Sequence, residues 1–427
     1  MQGNKYRVLI VASHPVQYAV PLYRLMARHP QLDILVAYCS LQGAEKGVDP
    51  EFGVEVAWDV PLLEGYPWVH VPNRSPRPGI GRFFGLINPG LWKLVRQGRF
   101  DCLIVYGYAY LSFWLAILSA KSARIPLILA TDATRLAPRD GRGWKIPLKR
   151  ILLPRIFGLA DIVCAPSSAT IEFLRSLGIP EDCIVLCHNT VDNDYFAQAA
   201  AKVNRIEVRQ RWNIPDDAVV ILFCGKLVPW KRPQDVLRAF AAINLQPPTI
   251  GNPVYLIYAG EGILRQSLEI EAKSLGVTDR VRFLGFVNQS RLPEVYAASD
   301  LLVLPSEYEP WGLVVNEAMV CGLPAVVSDQ VGARLDLIHS GITGEVYPVG
   351  DVEALASILE RLVADRERLK QMGEAAKKQM EAWSYRECIA GYVEAIEKAV
   401  HRGGGGRRQN QSEKERGRRH EFKGSAR

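Results

Sequence analysis

The feature that most constrains this chain is a rhythm that occurs twice. Short apolar, β-branched runs alternate with longer stretches of helical periodicity. In the first series, strands are predicted at Val8–Ala12, Leu32–Tyr38, Cys102–Tyr106, Leu127–Ala130 and Ile162–Ala165, with a helix over Val20–Arg28. In the second, strands are predicted at Val219–Cys224, Val254–Ala259, Val281–Leu284, Leu301–Leu304 and Ala325–Ser328. Helices are predicted between them over Pro233–Ala242, Ile263–Leu275, Arg291–Ala298 and Leu313–Val320. Buried strands separated by crossover helices specify βαβ units and a parallel sheet. Two such series specify an α/β chain of two Rossmann-like domains. The 427 residues are enough for both, since a domain needs roughly 100–200.

The first domain is expected over residues 1–190 and the second over 215–384. Between them Asn189–Asp217 is polar with little strand pattern, and 191–214 reads as a linker with room for one helix. Glu353–Val400 reads as largely helical, with a bend marked by Trp383 and Tyr385. Beyond it, residues 401–427 hold nine Lys/Arg against three Glu, so a net charge of +7 for the chain leaves only +1 for the rest. That tail cannot bury a core and is expected to be disordered. The folded body therefore offers no electrostatic case for specific nucleic-acid binding, and the tail offers only nonspecific attachment to lipid or nucleic acid.

Cys102 to Ala120 is a run of 19 residues without a charge, long enough for a spanning helix. Gly107 interrupts it, and a buried strand followed by its buried helix gives the same pattern. The eight cysteines form no dense spacing pattern, and the apolar run near the N-terminus is too short for a signal peptide. The expectation is a cytoplasmic protein with reduced thiols.

Three runs carry chemistry. Glu309-Pro-Trp-Gly-Leu-Val-Val-Asn-Glu317 follows a buried strand, with Gly312 opening a helix. Glu309 then lies at the carboxyl end of a strand, where open α/β sheets bind ligands. The Gly312, Leu313 and Val314 amides form a helix N-terminus suited to an anion. Glu317 lies about one turn along, and ionised carboxylates recognise hydroxyls because they only accept. The competing reading is a helix with a surface Glu at each end. Gly225-Lys226-Leu-Val-Pro-Trp-Lys231 follows the first strand of the second domain. Its two lysines either converge on a diphosphate or form a solvated loop. Gly260-Glu-Gly262 follows the next strand, where glycine admits close backbone approach to a ligand.

In order and spacing, these runs resemble the donor domain of the large family four of retaining nucleotide-sugar glycosyltransferases, which have the GT-B fold. Tyr258-Ala-Gly-Glu-Gly262, Val281-Arg-Phe-Leu-Gly285, Tyr296-Ala-Ala-Ser-Asp300, Gly322-Leu-Pro324 and Thr343-Gly344 extend the match. The resemblance implies two parallel sheets facing an interdomain cleft that holds a nucleoside-diphosphate sugar as substrate, with no cofactor and no metal. It implies that Lys226 and Lys231 neutralise the diphosphate, Glu317 binds the ribose and Glu309 contacts the sugar. Gly225, Gly260, Gly262, Gly312, Leu313 and Val314 complete the donor site. It also implies that residues 385–400 cross back onto the first domain. Family members usually carry Phe where this chain has Trp311, a change directed at the sugar pocket.

The first domain matches through Ser13-His14-Pro-Val-Gln-Tyr18. Where many members have His after a later strand, this chain has Asp132. His14 or Asp132 contacts the sugar or orients the acceptor; the alternatives are a loop-capping histidine and a helix N-cap. Asp192-Asn193-Asp194 spells a metal-binding triplet but reads as a turn. Cys183, Cys187 and His188 read as buried groups around a strand, not half a zinc site. No acid occurs between Glu64 and Asp101, a window of basic and aromatic residues, and Asp140 to Asp161 is similar. Such segments suit an anionic membrane surface and a peripheral position on its inner face; the alternatives are a basic acceptor cleft and a solvated face. The overall expectation is a hexosyl-type transferase acting on a lipid-linked or saccharide acceptor. A sugar-nucleotide epimerase or hydrolase and an inactive sugar-nucleotide-binding protein are the rivals.

Overall fold

The computed structural model describes residues 5–44, 47–48, 55–56, 58–136, 143, 145–244 and 253–421, the side chains of 47–48, 55–56 and 404–421 excepted. The first sheet has seven strands: β1 (Tyr6–Ala12), β2 (Leu32–Tyr38), β3 (Trp68–His70), β4 (Cys102–Tyr106), β5 (Leu127–Ala130), β6 (Ile162–Ala165) and β7 (Ile184–Leu186). They lie in the order β3-β2-β1-β4-β5-β6-β7, all parallel. The second has six: β8 (Val219–Cys224), β9 (Val254–Ala259), β10 (Val281–Gly285), β11 (Leu301–Leu304), β12 (Ala325–Ser328) and β13 (Gly344–Tyr347). Their order is β10-β9-β8-β11-β12-β13, again all parallel.

Both sheets are covered on both faces, which is why their central strands are apolar throughout. In β1, Val8 and Ile10 enter the core on one face and Leu9 and Val11 the core on the other, all fully buried. Each such side chain contributes about 1.5–3 kcal/mol by leaving water. The apolar run at 102–120 resolves into β4, a left-handed Gly107 (φ +87°) and a helix over Leu111–Ala123. Among the described residues, no helix is long and apolar enough to cross a membrane.

Two expectations are corrected. Residues 193–211 are not a linker with one helix: they form two, Asn193–Ala201 and Arg205–Arg211. Both belong to the second domain, because Val191, Phe196 and Ile214 share a core with Val220, Leu222 and Leu304. Arg209, 1% exposed, pins the second helix by donating to the Ala298, Asp216 and Ala218 carbonyls and to Asp300 at 2.7–3.0 Å. The tail expected to be without structure from residue 401 instead continues a helix over Tyr385–Glu421. That helix is nucleated on the first domain, where Tyr385, Cys388, Ile389, Tyr392, Ala395, Ile396 and Ala399 fill one core stripe. Beyond that anchored part the helix continues through the glycines at 403–406, poor helix formers, and then through Gln, Glu, Lys and Arg, which are good ones.

Candidate active site

The carboxyl ends of both sheets open on one cavity of about 370 Å³. Gln17 and Tyr18 from the loop after β1, and Asp132 after β5, line it from the first domain. Gly225, Gly260, Gln289, Lys231, Glu309, Glu317 and the Gly312-Leu313-Val314 turn line it from the second.

The second-domain wall is built around β11. After this strand the chain returns to pair Glu309 with Val331, the Glu309 amide donating to the Gln330 carbonyl at 3.3 Å and its carbonyl accepting from Gly332 at 2.9 Å. This fixes Glu309, whose carboxylate is ion-paired with Lys231. Gly312 then turns left-handed (φ +103°) and starts the helix Leu313–Val320 with no side-chain cap. A Cβ there would lie 2.9 Å from Leu304 Cδ2 and 3.3 Å from Glu309 Cγ, so only glycine fits. The first amides of the helix are left to face the cavity, where the helix dipole favours an anion.

Glu317, one turn in, is 7% exposed. Burial pushes its carboxyl up to about 7, opposed by the Tyr296 hydroxyl, which donates to Oε2 at 2.6 Å, and by Gln289. The site thus holds one carboxylate neutralised by a lysine and one poised near neutrality. Cys224, beneath them, is pushed up to about 12 by burial. It is a packing thiol.

Gly260 lines the cavity, and both Gly260 and Gly262 also serve a packing purpose. A Cβ on Gly260 would lie 1.9 Å from the Gly225 carbonyl oxygen, and one on Gly262 would lie 2.5 Å from that of Leu227. Their missing side chains admit a neighbouring loop. Gly225, with nothing within 4 Å of its Cβ position, is the glycine that leaves space open. Lys226 and Gly262 are not among the lining residues.

In the first domain, Asp132 is exposed in the cavity and near Tyr108, whose hydroxyl is pushed up by burial and then by this carboxylate. The N-cap alternative fails, because residues 133–136, which directly follow Asp132, are not helical. His14 does not reach the cavity lining. Its Nδ1 lies 2.9 Å from Ser13 Oγ, its ring faces Gly43, and burial lowers its pKa. The loop instead delivers Gln17 and Tyr18 from the same motif. Gln289 was missed by sequence reasoning; its position after β10, at the carboxyl end of a strand, is the signal that marks it.

The set-aside readings have structural roles. Asp192 caps the helix Asn193–Ala201 by accepting from the Tyr195 amide at 3.0 Å. Asn193 donates to the Met380 and Trp383 carbonyls at 2.9 and 3.1 Å. Cys187 is buried, and the His188 ring packs edge-on against Trp383. Trp311 is buried, stacked on Trp383 at 5.4 Å, and donates to Asn316 at 2.7 Å. Its ring is committed to this packing as well as to the cavity wall.

The domains also touch across the cleft. Ser168 donates to the Asp336 carboxylate from its hydroxyl and amide at 2.5 and 3.1 Å. The Arg135 guanidinium lies 4.1 Å over the Tyr308 ring.

Residues 9–190 match the family model of the glycosyl transferase 4-like domain, and residues 204–379 that of the glycosyl transferases group 1. A D-inositol 3-phosphate glycosyltransferase of Rhodococcus erythropolis is 32% identical over 389 residues, covering 86% of each chain. One of Streptomyces bingchenggensis is 28% identical over 326 residues, 73% of this chain and 69% of that protein. The crystal structure of Anabaena HepE in complex with UDP and glucose superposes with a TM-score of 0.67 over 92% of this chain and 99% of that one, at 18% identity. The fold is GT-B, and the chain belongs to the group 1 glycosyltransferases of the large family four.

Proposed function

We propose that this chain moves a hexosyl group from a nucleoside-diphosphate sugar to an acceptor hydroxyl, with retention and without a metal or other cofactor. The observation that carries the reading is the uncapped N-terminus of Leu313–Val320 beside Lys231, in a cavity that both domains line. The diphosphate would sit there, with the amides and Lys231 stabilising the charge that develops as the anomeric carbon–oxygen bond breaks. Its arrival draws Lys231 from Glu309 and frees that carboxylate for the sugar hydroxyls. Ionised Glu317 would accept from the ribose. The acceptor oxygen attacks from the face the phosphate leaves, and its proton passes to a phosphate oxygen. Asp132, Gln17 and Tyr18 are placed to hold the acceptor. His14 would support their loop. The acceptor is a lipid-linked or polysaccharide precursor. The names of the relatives and the UDP and glucose bound to HepE agree with a nucleotide-sugar donor and a hydroxyl-bearing acceptor.

The test is nucleotide release from a panel of sugar nucleotides, with chelator present and with or without a membrane extract as acceptor. Release from one donor, raised by the extract and lost in Lys231→Ala, is the expected result. Release indifferent to every acceptor would indicate a hydrolase or epimerase. Absent release, despite a donor-induced rise in melting temperature, would indicate a binding protein.

A further inference from the structure

The outer helical face of the first domain is both apolar and basic. Three segments make it: residues 74–99, 111–124 and 145–157, whose helices Gly90–Gln97, Leu111–Ala123 and Lys145–Phe157 cover the same side of the sheet. Together they hold twelve Lys/Arg and no Asp or Glu. Among the described residues, fifteen large hydrophobic side chains are exposed, and seven of them are on this face. Phe83 and Phe84 (64% exposed) project before the first helix and Trp92 from it. Leu118 (51%) projects from the second helix, and Leu148, Ile151 (56%) and Leu152 form an outward stripe on the third. Arg142 and Trp144, expected to join this region, lie outside the described residues.

We propose that this face docks on an anionic lipid bilayer. Exposed apolar area of this kind is a cost in water unless something covers it. Aromatic and aliphatic side chains among lysines and arginines match the boundary between acidic headgroups and acyl chains. Two other occupants fit less well. A second copy would bring two faces of the same positive excess together, even with Lys121 paired to Asp161. Single-stranded nucleic acid would suit the aromatic rings but not aliphatic Leu118, Ile151 and Leu152, which give no stacking surface. The face also adjoins the cleft: the third helix follows the connection that carries Asp132, and Lys149 Nζ donates to the Leu136 carbonyl at 3.3 Å. A bilayer here would lie at the edge of the cavity. The inference needs no part of the transferase reading, since binding to vesicles is measured without donor or turnover.

The experiment is sedimentation of the full chain with vesicles of equal phosphatidylcholine and phosphatidylglycerol, and with phosphatidylcholine alone. Two variants accompany the wild type: Phe84→Ser/Leu118→Ser/Ile151→Ser and Arg82→Gln/Lys93→Gln/Arg150→Gln. All six positions are exposed, and the charge variant serves if the apolar one folds poorly. The wild type should bind the anionic vesicles selectively and less strongly in high salt. Each variant should bind about tenfold more weakly or worse. Wild type that ignores both vesicle types overturns the proposal. So do variants that bind like the wild type, which would assign attachment to the basic tail. Self-association of the wild type that both variants abolish would assign the face to a second copy and likewise overturn it.

Discussion

The Glu317 carboxyl makes a prediction with a sign and a size. Burial raises it from an ordinary 4.5 to about 7. At 1.36 kcal/mol per unit, ionising it in the folded chain costs about 3 kcal/mol more than in the unfolded one. Below pH 4.5 both states hold the proton and no cost appears. Between 4.5 and about 7 the unfolded chain ionises first, so stability drains away as pH rises. Above 7 both are ionised and the full cost stands. Glu317→Gln removes the charge but keeps an oxygen to accept from the Tyr296 hydroxyl, which lies 2.6 Å away in the wild type. Urea unfolding of the two proteins side by side should show equal stability near pH 4.5. The variant should gain about 3 kcal/mol by pH 8. Taking the difference cancels every other titrating group. Donor binding should move the opposite way. If the ribose needs the ionised carboxylate, wild-type affinity falls about tenfold per pH unit below 7. The variant should bind weakly at every pH. A stability difference that does not change with pH, or a variant less stable at pH 8, would refute the reasoning.

Three further outcomes follow from the geometry. Lys231→Ala should slow nucleotide release by about a hundred- to a thousand-fold, the size seen when one preorganised donor to a developing charge is removed; a change confined to KM would contradict this. Gly260→Ala must move a Cβ that would lie 1.9 Å from the Gly225 carbonyl oxygen. It should lower the stability of the second domain by at least about 1–3 kcal/mol, read by urea unfolding. Arg209→Ala leaves Asp300 without one of its two arginine partners and three carbonyls without a donor. A loss of about 3–5 kcal/mol is expected in the same assay, and a neutral result would show that the network is not a structural tie.

The parts of the fold that could be read from residue order share one physical property. Central strands such as Cys102–Tyr106 and Leu301–Leu304 are buried on both faces, so they appear as unbroken apolar runs. Trp68–His70 and Gly344–Tyr347 were not predicted as strands, and Ile184–Leu186 was seen only as the apolar run between Cys183 and Cys187. Each is an edge strand of three or four residues, too short to show a period. The helices at 193–211 were hidden because they are only nine and seven residues long, too short to display a helical period, and Arg209 does part of the anchoring. In the site, Glu309, Gly312 and Glu317 were readable because a single strand, loop and helix carries all three. His14 was named by the same kind of motif, yet it is not among the lining residues and its ring lies against Ser13 and Gly43. A motif specifies backbone order, while the direction of one side chain depends on neighbours from elsewhere in the chain. Gly43, which faces the His14 ring, is such a neighbour.

Trp311 shows how far the site extends beyond the cavity. The chain passes between the domains twice, near Asn189 and near Trp383, and the passes are fastened to each other. Thr190 donates to the Trp383 carbonyl at 3.1 Å, and the Trp383 indole donates to the Asn189 carbonyl at 2.9 Å. Asn316, in the helix that carries Glu317, donates to that same Asn189 carbonyl at 3.2 Å. Trp311, two residues after Glu309, stacks on Trp383 with the rings 11° from parallel. Any rotation of one domain about these passes therefore bears on the loop of Glu309 and the helix of Glu317 together. Phenylalanine at 311 could supply the stacking surface, but it has no N–H for the Asn316 side-chain oxygen. Asn316 is fully buried, and an unpaired buried oxygen costs about 1–3 kcal/mol. The tryptophan thus locks Asn316 in the orientation that leaves its amide free to hold the crossing. Its difference from the usual phenylalanine acts through the hinge as well as through the shape of the pocket.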